Sequence, residues 1–291
     1  MFEKEKIKNK QCYKRIMDIS LKKALNDIYF YKGIVPFDSL KVITERRVEA
    51  IPHLLQMIKK TISCCNQTGD YYVAHILSLL LLAQFREQKT YPLIIELLNL
   101  PIESIDRLYG DMFTETFPSI IASIYDGNSD PLFALVRNPK TDYILRCVIG
   151  NTFSVFLHHK MMDKEYLILK LKEILPIAQQ NGDFAFFTML ADLTLESKLE
   201  PLYDIIRASF KAKMIDEDMV DLETFEEYLP KPQKELIPEK YFNFIHDAGE
   251  ELSTWEGYSN EKPIIPKINR NANCPCGSGE KFKFCSLHRL A

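Results

Sequence analysis

The chain has 291 residues, 46% hydrophobic and 26% charged, the balance of a globular protein long enough to bury a core in one or two domains. Its 37 Lys and Arg set against 40 Asp and Glu leave a net charge of −3, too small to mark DNA or an acidic membrane as the partner. Only ten glycines, among many Leu and Ile, favour helices.

The opening residues Met1-Phe2-Glu3-Lys4-Glu5-Lys6 are charged and offer no apolar stretch for a secretory signal. The longest apolar run, Val73 to Phe85, is interrupted by His75, Ser78 and Gln84 and is too short to span a bilayer. Cys12, Cys64, Cys65 and Cys147 are scattered, and with the cysteines near the C-terminus they make an odd total of seven. That usage fits a reducing cytoplasm better than a disulfide scaffold. The expected location is cytoplasmic; a secreted effector without a classical signal peptide is the alternative. The vicinal pair Cys64-Cys65 reads as two small apolar residues at a helix end, with a redox switch as the other reading.

Residues 1–13 are polar and expected to fray. From Lys14 to Tyr31, Ile16, Ile19, Leu21, Leu25, Ile28 and Tyr29 recur at helical spacing, and Gly33 with Pro36 supplies the stop. A second helix is expected from Asp38-Ser39 toward Glu49. A repeating pattern follows: Ile51-Pro52-His53-Leu54-Leu55, Tyr91-Pro92-Leu93-Ile94-Ile95, Asp130-Pro131-Leu132-Phe133-Ala134 and Glu200-Pro201-Leu202-Tyr203-Asp204. Between the last two, Glu165-Tyr166-Leu167-Ile168-Leu169 has the same apolar face without the proline. The spacings run from 35 to 40 residues, the period of two-helix repeats in HEAT and armadillo solenoids. A first-turn proline forfeits no helical hydrogen bond, so each Pro-Leu marks the start of the second helix of a pair. The first helices are expected at Tyr71 to Arg86, Thr114 to Tyr125, Asp142 to His158 and Asp183 to Glu196.

Helix punctuation accounts for several polar clusters. Asp126-Gly127-Asn128-Ser129-Asp130-Pro131 reads as a loop leading into a capped helix. Gly110-Asp111-Met112-Phe113-Thr114-Glu115 reads as a stop and a capped restart, rather than a catalytic group of Asp111, Thr114 and Glu115. His158-His159 closes a helix and complements its dipole. His53 and His75 lie in apolar helices as core or groove residues. Ile215 to Tyr228 holds seven acidic and no basic residues; Asp216-Glu217-Asp218 lies in that polar run and reads as a solvated face. There is no Gly-rich phosphate loop, no GxSxG elbow and no HExxH pair. The expectation is a protein that is not an enzyme.

This body resembles an uncharacterised bacterial HEAT-like family, a domain of unknown function often found with the tail described next. The residues carrying the likeness are Tyr109-Gly110-Asp111 with Thr114-Glu115, Ile124-Tyr125-Asp126-Gly127, and Ile245-His246-Asp247-Ala248 with Glu251-Leu252 and Trp255. It covers roughly residues 40–258 and implies no known reaction. Pro230-Lys231-Pro232 suggests a break, and the helix-like stretch Phe244 to Trp255 is expected to cap the last repeat. Glu261 to Asn273, with Pro263 and Pro266, reads as an extended linker.

The tail reads Asn273-Cys274-Pro275-Cys276-Gly277-Ser278-Gly279-Glu280-Lys281-Phe282-Lys283-Phe284-Cys285-Ser286-Leu287-His288. Thiols around a Gly-Ser-Gly turn suit a metal, because glycine reaches the backbone angles that fold the ligands back on one centre. Sulfur and imidazole in a closed tetrahedral set are the chemistry of structural zinc, and iron is the other metal that thiolates hold. These residues resemble the SEC-C motif, the zinc-binding tail at the C-terminus of the SecA preprotein translocase ATPase. Cys274, Cys276 and Cys285 match its ligands, and Gly277-Ser278-Gly279 matches its turn. The motif continues with His or Cys directly after the third cysteine. Here Ser286 stands there, and His288 is taken as the fourth ligand, with Ser286 or water the other choices. Related tails dock onto the ribosome or an export chaperone, so the resemblance implies Lys281, Phe282, Lys283 and Arg289 as partner contacts.

The expected fold is thus all-α: an N-terminal helical cap (1–36), a HEAT/armadillo-like α-solenoid of helix pairs (37–258), a linker (259–272) and a zinc knuckle (273–291) with one structural Zn2+, tethered and free to find a partner. The expected role is an interaction scaffold for protein partners. Two other readings stay open, an enzyme with its site in the solenoid groove and an effector acting in a host cell.

Overall fold

The computed structural model of the protein describes residues 20–66, 68–69, 72–236, 242–258 and 268–285. Among the described residues every regular element is a helix, and the only extended pairing is two isolated bridges, Phe30 with Tyr72 and Asn273 with Lys281. The fold is all-α. The chain divides into two compact units, one of residues 1–93 with 245–291 and one of residues 94–244.

The first unit begins with α1, described over residues 20–27, whose Leu21, Ala24 and Leu25 are buried. Gly33, at φ +69°, provides the left-handed turn expected after it. Then come α2 (Phe37–Glu45), α3 (Arg47–Ser63) and α4 (Ala74–Gln84). α2 packs on α3, and α3 on α4. α4 is apolar on all sides and nearly every residue from Ala74 to Ala83 is buried, so it needs cover all round. Part of that cover is α16 (Ala248–Ser253), which packs on α2 and α4. The Ala248 N–H donates to Gln84 Oε1 at 2.9 Å. At Gly249 a β-carbon would stand 2.9 Å from the Phe37 ring, so a side chain there would have to push that ring aside. This corrects the expected cap on the last repeat: the stretch returns to the beginning of the chain because α4 has apolar surface to hide.

The second unit contains α6 (Ile102–Tyr109), α7 (Met112–Glu115), α8 (Phe117–Ile124), α9 (Asp130–Arg137), α10 (Tyr143–His158), α11 (Lys164–Asn181), α12 (Phe184–Glu196), α13 (Tyr203–Lys211), α14 (Leu222–Tyr228) and α15 (Gln233–Leu236). The boundary between units falls inside α5 (Tyr91–Leu98). Within the second unit α8, α10 and α12 pack in one row and α9 against α11 in another, while α9 also meets α10 and α11 meets α12. That alternation is what helix pairs stacked in two layers produce. Phe153 and Phe156 of α10 and Phe186 of α12 are fully buried, each contributing about 1.5–3 kcal/mol of apolar transfer.

The proline positions test the repeat reading directly. Pro92 and Pro131 are second residues of α5 and α9, and Pro201 lies in a 3-10 turn, Glu200–Leu202, leading into α13. Pro52 differs: it lies inside α3, which starts at Arg47. α2 breaks at Arg46, and the carbonyl left without its Pro52 donor belongs to Val48, 79% exposed, where water can serve it. The stretch expected as one helix from Thr114 is two, α7 and α8, separated at Thr116.

The expected caps at Asp142 and Asp183 are present: their side chains accept from Ile144 N and Phe186 N. Asp111 differs, for its side chain makes no capping bond and its main-chain carbonyl accepts instead from Glu115 N at 3.0 Å. Asp111, Thr114 and Glu115 are all exposed. Arg146 of α10 is fully buried, donates to Asp183 Oδ1 at 2.7 Å, and reaches the Asn138 carbonyl. One guanidinium thereby holds the end of α9 and the start of α12 against α10.

Candidate metal centre

The knuckle begins before its first thiol. Phe282 N–H donates to the Ala272 carbonyl at 2.8 Å and Lys283 N–H to the Arg270 carbonyl at 3.0 Å. Cys274 N–H donates to Glu280 O at 2.8 Å, which folds the Gly277-Ser278-Gly279 turn back on itself. Gly277 and Gly279 stand at φ +74° and +75°, conformations a side chain would strain. The returning segment brings Cys285 to the pair, and its N–H donates to the Lys281 carbonyl at 3.0 Å.

The result is three converging sulfurs. Cys274, Cys276 and Cys285 present Sγ atoms within 4.8 Å of one another, and Cys276 Sγ lies 3.4 Å from Cys285 Sγ. The cysteines are 3%, 0% and 0% exposed and none is in a disulfide. Metal–sulfur bonds of about 2.3 Å at tetrahedral angles put sulfurs about 3.8 Å apart, so the spacing already suits a thiophilic ion. Ser278 Oγ donates to Cys285 Sγ at 3.4 Å, an outer partner for a ligating sulfur. The thiols share protons: hydrogen bonding with Cys276 holds the Cys274 thiol well above the usual range, and the hydrogen bond from Cys274 pushes Cys276 down. A cation would take the place of those protons. Tyr29 and Tyr72 are buried close by; burial comes first in raising both phenols, and the three thiols add to it.

The family described as "Protein of unknown function (DUF1186)" matches residues 17–259. The chain belongs to this family. The SEC-C motif matches residues 270–285, following the DUF1186 region and containing all three thiols. An uncharacterized protein of Chlamydia trachomatis serovar D is 26% identical over 248 residues, covering 82% of this chain and 97% of the relative. One of Chlamydia muridarum is 25% identical over 238 residues, 79% of this chain and 94% of the relative. No solved structure matches this DUF1186 chain.

Of the site residues expected from sequence, the three thiols are brought together, while His288 and Arg289 lie outside the described residues. Lys281 is exposed, and Lys283 holds its ammonium 4.8 Å over the ring of Phe284. Phe282 turns its ring edge-on to Phe30, with centroids 5.7 Å apart. Phe284, which the sequence reading passed over, is 62% exposed; its place beside Lys283 at the end of the basic-aromatic run was the available signal.

The histidines close α10 as expected, His159 at its C-cap and His158 in its last turn, and they also pack on the segment at residues 242–244. His158 stacks on Phe242 at 4.8 Å, and His159 stacks on Phe244 at 4.0 Å while donating from Nε2 to the Phe242 carbonyl. Beside them a cleft of about 480 Å3 is lined by His158, Lys160, Met162, Lys164 and Glu165, and Lys164 is already paired with Glu200 at 2.8 Å.

Sequence reasoning also missed a polar group in the seam between α10 and α12. Asp192 and Glu196, one turn apart on α12, are half-buried beside Tyr143, Cys147 and Ser154 of α10. Burial pushes Asp192 up to about 7 and Glu196 up to about 8, the latter helped by the neighbouring Asp192. Burial also pushes the Cys147 thiol up to about 12, which makes it a weak nucleophile. Two carboxyls at helical spacing in the otherwise apolar segment Phe184 to Glu196 were the signal.

Proposed function

We propose that this DUF1186 protein is a non-enzymatic interaction scaffold whose knuckle, closed on one Zn2+, presents a basic-aromatic surface to a protein partner. The observation carrying it is a buried three-sulfur centre in the same short loop as the exposed Lys281 and Phe284 and the half-buried Lys283. Cys274, Cys276 and Cys285 hold the ion, and His288 supplies the fourth ligand. Zinc in a closed set of this kind contributes shape rather than reaction chemistry. The stacked helix pairs, read as HEAT-like, offer a second face to the same partner. The SEC-C motif supports a ribosome or export chaperone as that partner. The site of action is the cytoplasm; no described helix is long and apolar enough to cross a membrane.

Two measurements test this. Elemental analysis of purified full-length protein gives one zinc per chain, lost in Cys285→Ser; iron in its place, or no metal, overturns the zinc assignment. Binding to purified ribosomes and to a purified export chaperone then identifies the partner. Phe284→Ala weakens that binding about tenfold, as loss of an aromatic anchor does, without changing metal content. Binding to neither partner overturns that part of the proposal.

A further inference from the structure

We infer that the knuckle is clamped onto its own chain, and that the bound metal and the dock formed by Phe30, Gly69 and Tyr72 stabilise each other. The inference rests on the metal reading above and adds a receptor for the knuckle within the same molecule.

Contacts of different kinds converge on it. The Gly69 N–H donates to the carbonyl of Pro275 at 2.7 Å. Pro275 is the residue between the first two thiols, so this bond fixes the ligand loop itself. A β-carbon at Gly69 would stand 3.3 Å from Pro275 Cβ, so the loop is seated closely enough that a larger side chain would push it away. Further along the knuckle, the Phe282 ring meets the Phe30 ring edge-on at 5.7 Å, a favoured aromatic geometry.

The receiving surface is itself tied together. Phe30 and Tyr72 form an antiparallel bridge, and Val73 N–H donates to the Tyr29 carbonyl at 3.0 Å. The Tyr72 hydroxyl lies 3.3 Å from Thr61 Oγ1 on α3. The dock therefore joins the segment following α1 to the segment preceding α4, and the knuckle sits across both.

A loop of this size has almost no apolar core of its own beyond the three cysteines, so the ion largely determines its shape. A shaped knuckle fits the dock and a collapsed one does not. Binding at two linked sites is reciprocal: whatever the dock adds to metal affinity, the metal returns to the dock. A partner that reads Phe282 must first lift the knuckle, whereas Lys281 and Phe284 are open from the start.

The test uses the full-length zinc-loaded chain and hydrogen exchange. Stripping the metal with a chelator is expected to speed exchange of amides in residues 28–34 and 72–76, far in sequence from any ligand. Gly69→Val and Phe30→Ala, with every ligand intact, are expected to release zinc at least about tenfold faster, as loss of outer contacts to a metal site does. Phe284→Ala, on the open side, leaves the release rate unchanged. Metal loss without change in those amides, or wild-type release rates in both dock variants, overturns the clamp while leaving the metal site standing. A chain that takes up no metal after zinc reconstitution overturns both readings.

Discussion

Arg146 shows what one side chain can be asked to hold. Its guanidinium is 0% exposed and faces Asp183 at 2.7 Å, and Asp183 also caps α12 through Phe186 N at 3.2 Å. Two buried charges repay their desolvation only while both are present. Arg146→Ala leaves a buried carboxylate without its cation and is expected to cost about 3–5 kcal/mol, read as a fall in the denaturant midpoint. The double change Arg146→Met with Asp183→Ser keeps a capping oxygen and removes both charges, so it is expected to cost less than the single change. Equal losses would show that the pair is not the source of the effect. At this scale the sequence was legible where chemistry is local. Cys274, Cys276 and Cys285 lie within one short loop and announce themselves. Arg146 does not, since helical periodicity marks a buried face without saying which buried polar group pairs across it.

Between elements, the α10–α12 seam is the most consequential contact of the second unit. Its Asp192 and Glu196 bind protons more tightly folded than unfolded, since burial raises both to about 7 and about 8. The sign follows. Their contribution is fully present below the unfolded carboxyl range near pH 4 and is lost as pH rises through 7 to 8. Thermal or denaturant unfolding should therefore show stability falling from pH 5 to pH 8.5, by an order of 2–4 kcal/mol for the pair together. Asp192→Asn with Glu196→Gln should flatten that slope; an unchanged slope would place the titration elsewhere. Gly150 of α10 marks the close approach of the two helices, since a β-carbon there would meet Met189 Sδ at 3.2 Å. Met189 is flexible enough to yield, so Gly150→Ala is expected to be near neutral, the gain in helix propensity of about 1 kcal/mol offsetting the crowding. Gly150→Leu is expected to cost about 1–3 kcal/mol by overpacking. Helix starts were readable at Pro92 and Pro131, where proline occupies the first turn. Pro52 misled because the break that begins α3 is made at Arg46, a residue with no breaker signature.

Over the whole molecule, an all-helical body followed by a knuckle was legible in the sequence, but not that the knuckle is joined to the opening helices. No periodicity records that Phe282 will lie on Phe30, or that Ala248 will bond to Gln84; such pairings are decided by which apolar surface is left over when the helices have packed. α4 is the surface left over here. Deleting residues 245–291 removes α16 and the knuckle together, and is expected to leave residues 20–93 open to protease. Residues 94–244 contain their own paired rows and are expected to stay protected. Protection of both parts would mean that the returning segment is dispensable.

That return also imposes an order in time. Residues 94–244 have all their row partners within one continuous stretch and can close as soon as it has been made. The first ninety-three residues cannot, because the segments that complete their unit follow residue 244. At about 5–20 residues per second, the opening helices wait on the order of ten seconds or more with the flank of α4 uncovered. A nascent chain of this kind offers the helices before α5 to chaperones until α16 has followed, and stalling before residue 245 would leave those helices, not residues 94–244, as the part that aggregates.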